Sequence, residues 1–175
     1  MEILHFREAD KILKENHLYK DVISTMEYIE DVLQGSVHRR ELLRQALEDM
    51  DWRRPEDIRA LRFLDGRRYE YKGVKRNVAI EGNLSAYEFI LEGLLRLQIG
   101  VDKGVIQTGI LMLTNHRSEK SHLGSSLELA KAEVEMLYPT ISLPVSIALL
   151  DLGRPMVLDD QTGDESDAVS VPPDD

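Results

Sequence analysis

Glu81 and Asn83 stand two residues apart at the end of a short apolar run, inside Gly73-Val-Lys-Arg-Asn-Val-Ala-Ile-Glu-Gly-Asn83. Side chains at i and i+2 of a strand leave by the same face, so the carboxylate and the amide point together while Ile80 and Gly82 point oppositely. The turn before this run is basic, with Lys75 and Arg76. A carboxylate set among cations on a strand suits a divalent metal that will meet phosphate: the carboxylate holds the ion and the cations hold the anion.

The charge distribution leads to the same chemistry. Between Trp52 and Arg76, nine bases (Arg53, Arg54, Arg59, Arg62, Arg67, Arg68, Lys72, Lys75 and Arg76) face four acids. Any one of these arginines reads as part of a solvated helix face or a charged hairpin. Their concentration beside Glu81 reads as a phosphate-facing surface. The whole chain carries −10 over 175 residues, which at first sight argues against a polyanionic partner. Seven acids and no base fall in residues 159–175, however, leaving −3 for residues 1–158. That tail has no large apolar side chain to bury and is expected to be flexible.

Other chemistries are poorly represented. Without cysteine there is neither a disulfide framework nor a thiolate metal site. The five histidines (His5, His17, His38, His116, His122) show no metal-ligand spacing. There is no phosphate loop, dinucleotide fingerprint or nucleophile elbow. No apolar run of eighteen residues and no signal pattern at Met1-Glu-Ile-Leu-His-Phe are present, so a soluble cytoplasmic protein is expected.

The elements that must position Glu81 can be read in outline. Val22, Ile23, Met26, Ile29, Val32 and Leu33 form a helical stripe over Tyr19 to Leu33, ending at Gly35. Leu42, Leu43, Ala46 and Leu47 repeat it over Arg39 to Met50, and Pro55 opens a third, short helix. Trp52, near Met50 and Leu47, reads as a helix-packing anchor. Tyr69 to Lys72 and Val78 to Glu81 read as two strands joined through Gly73 to Asn77. Ser85-x-x-Glu88 is a capping box for a helix bearing Phe89, Ile90, Leu94 and Leu97, on which Glu92 reads as exposed. A strand over Val105 to Leu113 follows. Ser125-x-x-Glu128 caps a further helix, which Tyr138-Pro139 stops, and Val145 to Leu152 is the last strand. Helices first, then strands interleaved with helices, predict an α/β sandwich around a mixed sheet. One domain spans 1–158, with a helical part over 1–65 and a sheet core over 66–153.

At these residues the chain resembles the BglII/BstYI family of restriction endonucleases, within the PD-(D/E)XK nuclease superfamily. The likeness rests on Val74-Lys75-x-x-Val78-Ala-Ile-Glu81-x-Asn83, on Phe89 to Ile99, on Gly104-Val-Ile-x-x-Gly-Ile110 and on Pro144 to Leu152. It implies a restriction-endonuclease-like mixed β-sheet sandwiched by helices. It also implies Mg²⁺-dependent (or Mn²⁺-dependent) hydrolysis of double-stranded DNA by a homodimer. Glu81 takes the place of the family's metal-binding Glu, and Asn83 that of a water-positioning Gln. Lys72 stands where the family has a metal-binding Asp. Glu70 lies one pleat repeat, about 7 Å, earlier on the same strand face and is the candidate replacement ligand. In that case the Glu70 and Glu81 carboxylates lie within about 5–6 Å of each other. The alternative is a catalytically inactive nuclease fold serving as a DNA-binding or protein-interaction module. The resemblance further implies that Lys72 or Lys75 contacts the scissile phosphate, and that Arg67, Arg68, Lys72, Lys75 and Arg76 bind DNA. Met26, Ile29, Leu42 and Leu43 are expected in the core, with a share in a dimer interface as the alternative.

Overall fold

A computed structural model of the chain describes residues 1–82, 84, 90–115 and 126–153. The elements in chain order are β1 (Glu2–Phe6), α1 (Ala9–Glu15), α2 (Tyr19–Leu33), α3 (Arg39–Asp49) and α4 (Ile58–Leu61). There follow β2 (Gly73–Lys75), β3 (Val78–Gly82), α5 (Ile90–Asp102), β4 (Thr108–Thr114), α6 (Leu127–Met136) and β5 (Val145–Leu150). They build one mixed sheet in the order β1-β5-β4-β3-β2. The inner pairs β3–β4 and β4–β5 are parallel, and the outer pairs β1–β5 and β2–β3 are antiparallel. The expected α/β architecture, a mixed sheet between helices, is the one observed.

Period-2 alternation splits the central strands between two cores. Val78, Ile80, Ile110, Met112 and Ala148 face the helices α1 to α3, packing against Leu13, Met26, Ile29, Leu33, Leu47 and Trp52. Ala79, Leu111, Leu113, Ile147 and Leu149 face α5 and α6 with Leu61, Phe63 and Tyr71. Strands covered on both sides must be apolar on both, which is why β4 is buried along its whole length. Met26, Ile29 and Leu43 are buried and Leu42 packs partly buried on the same cluster, so these residues serve the core.

Three differences from the sequence reading have physical causes. The N-terminal part is not purely helical: β1 is an edge strand pairing Glu2–Phe6 with β5, a long-range choice that one exposed and four half-buried residues do not announce. The strand expected over Tyr69 to Lys72 is instead an irregular approach, with a single bridge between Glu70 and Arg62. The β2–β3 hairpin turns over two residues only, Arg76 and Asn77, both at positive φ (46° and 62°), the conformation of a type I′ turn. The Ser85 and Ser125 capping boxes and the tail 159–175 lie outside the described residues. Ser126 caps α6, its Oγ accepting from the Leu129 amide at 3.2 Å. Among the described residues no helix is long and apolar enough to cross a membrane.

Candidate functional site

Glu81 sits one residue from the end of β3, on the sheet face covered by α5. Its exposure is 1%, so the backbone has carried a carboxylate into an apolar layer. One oxygen, Oε1, accepts from the Gly82 amide at 3.2 Å and faces Arg96 Nη1 at 3.5 Å. The other, Oε2, is buried with no hydrogen-bond partner among the described residues. Burial pushes the Glu81 carboxyl pKa up, outweighing the Gly82 amide and the charges of Arg96 and Lys72, which pull it down.

The neighbours of Glu81 come from α5 and from the segment that leads into β2. Arg96 lies on α5, and its Nη2 also pairs with Glu92 Oε1 one helical turn earlier, so a single guanidinium spans two carboxylates. Lys72, just before β2, is near enough for its charge to act on Glu81. The Lys72 amide bonds the Ile80 carbonyl at 2.9 Å, and its own carbonyl accepts from Arg53 Nη1 at 2.8 Å. Tyr71 is buried beside the same helix, its hydroxyl donating to the Arg96 carbonyl at 3.0 Å. Burial, and then the charge of Glu81, push the Tyr71 hydroxyl pKa up. The close fit of α5 over the sheet depends on Gly100, where a Cβ would lie 1.9 Å from the Tyr71 oxygen. Gly82 has a φ of 144°, and a Cβ there would lie 2.5 Å from the Met112 carbonyl oxygen, so the strand end beside Glu81 has no room for a side chain.

The remaining expected site residues are dispersed. Glu70 is engaged elsewhere: it bridges to Arg62 in the backbone and accepts from Arg62 Nε at 3.3 Å, and no contact joins it to Glu81 among the described residues. Lys75 does not accompany Glu81 either. Its register with Val78 places it on the opposite sheet face, where Nζ donates to Asp21 Oδ2 at 2.9 Å and to the Met50 carbonyl at 3.0 Å. Arg76 is at the far end of β3 and donates to the Asn16 carbonyl at 3.2 Å. A cavity of about 440 Å³ lined by His17, Asp21, Arg54, Lys75 and Arg76 belongs to that hairpin end, away from Glu81. Arg67 and Arg68 are exposed in the approach to β2. Asn83 lies outside the described residues.

Arg96 and Glu92 were not singled out as site residues by the sequence reading, although their i, i+4 spacing on one helix was visible. Arg39 was missed as well. From α3 it donates to the Leu84 carbonyl at 3.2 Å and the Gly153 carbonyl at 2.9 Å, tying the segments that leave β3 and β5.

An unpaired, buried carboxylate oxygen is a donor that suits a hard divalent ion. The donor set is short, because no three acidic or histidine side chains converge among the described residues, and Arg96 lies against Glu81. The unpaired oxygen is the one feature of the site that suits an ion, and the Arg96 guanidinium stands against the same carboxylate.

The mixed five-stranded sheet between helices matches the fold of a restriction endonuclease. The restriction endonuclease BglII in complex with a DNA 16-mer superposes with a TM-score of 0.58 at 15% identity, over 86% of this chain and 75% of that one. Free BglII gives 0.54 at 18%, over 85% and 78%. At such identities the likeness is one of fold. No family model and no curated protein sequence matches the chain.

Proposed function

We propose that the chain is a Mg²⁺-dependent DNA endonuclease of the type II restriction kind, hydrolysing phosphodiester bonds in double-stranded DNA. The observation that carries this reading is Glu81: a carboxylate buried at the end of β3 in a BglII-like fold, with one oxygen left unpaired. A bound divalent ion would supply Lewis acidity toward the phosphate and lower the pKa of a water. In this reading Glu81 would hold the ion, Lys72 would contact the scissile phosphate, and Asn83 would orient the water as a hydrogen-bond partner. The water oxygen bonds to phosphorus as one ester oxygen leaves with a proton. Arg67 and Arg68 are exposed to meet the backbone of the duplex. A homodimer, with two sites related by a two-fold axis, fits cleavage of both strands.

The alternative reading is a catalytically inactive nuclease fold that binds DNA or protein, and one observation is compatible with it. The charges acting on Glu81 are those of two cations, Arg96 and Lys72. Incubation of supercoiled plasmid with the full chain and Mg²⁺ or Mn²⁺ separates the two. The expected result is nicked or linear product, with more from Mn²⁺, since a site short of carboxylates tolerates the softer ion better. Lys72→Asp is expected to raise Mg²⁺-dependent cleavage if the site lacks a carboxylate ligand, and to leave or lower it if another carboxylate already holds the ion and Lys72 serves the phosphate. No product from either protein with either ion, over DNA of varied sequence, refutes the endonuclease reading.

A further inference from the structure

We propose that Arg96 is a built-in counter-ion occupying the divalent-ion position, and that Glu81 and Glu92 become the protein's carboxylate ligands when the ion displaces it. This rests on the endonuclease reading above and supplies the second ligand that Glu70, engaged by Arg62, does not.

Three observations converge. Arg96 sets one guanidinium nitrogen on Glu81 Oε1 at 3.5 Å and the adjacent one on Glu92 Oε1, so a cation already bridges these two carboxylates. The Glu81 side chain is 1% exposed and its Oε2 is unpartnered beside that bridge, leaving one further oxygen for an ion with a larger coordination demand than a guanidinium. The mobility is also divided in the right sense. Glu81 is fixed in the sheet, whereas the Arg96 and Glu92 side chains are 30% and 58% exposed and can rearrange without opening the core. Exchanging one positive charge for two between the carboxylates leaves them better neutralised. The displaced guanidinium reaches solvent, where a DNA phosphate is its natural partner.

Competition between Arg96 and the ion can be read without any DNA. Mn²⁺ is titrated calorimetrically into the full chain, into Arg96→Met and into Arg96→Met/Glu92→Gln, with folding checked by thermal melts. Arg96→Met is expected to tighten Mn²⁺ binding by about tenfold or more, and adding Glu92→Gln to remove that gain. Arg96→Gln repeats the comparison if the methionine variant does not fold. Equal Mn²⁺ affinity with and without Arg96, or a gain that survives Glu92→Gln, overturns the inference. Tight Mn²⁺ binding by Arg96→Met without plasmid cleavage would instead count against the endonuclease reading and leave the ion site standing.

Discussion

Glu81→Gln is expected to lower metal-dependent DNA cleavage by about 10³-fold or more, and to raise the melting temperature at neutral pH in the same protein. The first effect follows from removing the buried negative charge that holds the ion. The second follows from the environment of that charge. Burial is the dominant influence on the Glu81 carboxyl and outweighs the Gly82 amide, Arg96 and Lys72, so its pKa lies above the ordinary value of 4.5. A raised folded-state pKa means that the folded protein holds a proton the unfolded chain releases. The associated stability is complete below about pH 4.5 and is lost as pH rises through the folded value. Glutamine keeps an acceptor for the Gly82 amide without the charge, and Arg96 keeps Glu92 as partner. A gain on the order of 1 kcal/mol, or about 2–4 °C, is expected at neutral pH and should vanish near pH 4. Thermal melts across that range check it. A lower melting temperature at neutral pH would mean that the Arg96 pair outweighs the cost of burial.

Trp52→Ala is expected to cost about 3–5 kcal/mol, a fall in melting temperature on the order of 10 °C. Trp52 is fully buried and joins the helical layer to the hairpin that carries Glu81. Its ring nitrogen donates to the buried Thr25 hydroxyl at 3.0 Å, and its carbonyl accepts from the Val74 amide at 2.8 Å. Its Cβ presses on Gly73, where an added Cβ would stand 2.9 Å away, and the Lys75 ammonium lies 5.3 Å from its ring centroid. Truncation therefore leaves a cavity beneath β2 and a hydroxyl without its donor. Trp52→Phe, which keeps most of the volume, should cost less than half as much in urea unfolding. A loss below about 1 kcal/mol for the alanine variant would show that the hairpin is held mainly elsewhere.

These residues also mark how far the fold and site were legible beforehand. The helices over 19–33 and 39–49, and the inner strands β3 to β5, carry their periodicity in sequence because each buries a continuous stripe or both faces. Trp52 was read as a packing anchor, and it is one. The edge strand β1 was not legible, since its half-buried residues become a strand only by pairing with β5, some 140 residues later in the chain. Glu81 stood out as an acid on an apolar run. The resemblance sets Lys75 at the scissile phosphate beside Glu81, and a turn spread over Gly73 to Asn77 assigns it no sheet face. A two-residue turn pairs Lys75 with Val78 and so sends it to the face that Glu81 avoids. Glu92 reads as exposed in sequence and Arg96 carries no signal of its own; only the packing of α5 across β3 turns Arg96 toward Glu81.

The central claim, that Glu81 anchors a divalent-ion site at the end of β3, is tested most directly by anomalous scattering from crystals of the full chain grown with Mn²⁺ and duplex DNA. An anomalous peak is expected about 2.0–2.6 Å from a Glu81 carboxylate oxygen, with Arg96 swung away from it. Arg96 still bridging Glu81 and Glu92, with no peak within coordinating distance of Glu81 at saturating Mn²⁺, would contradict it.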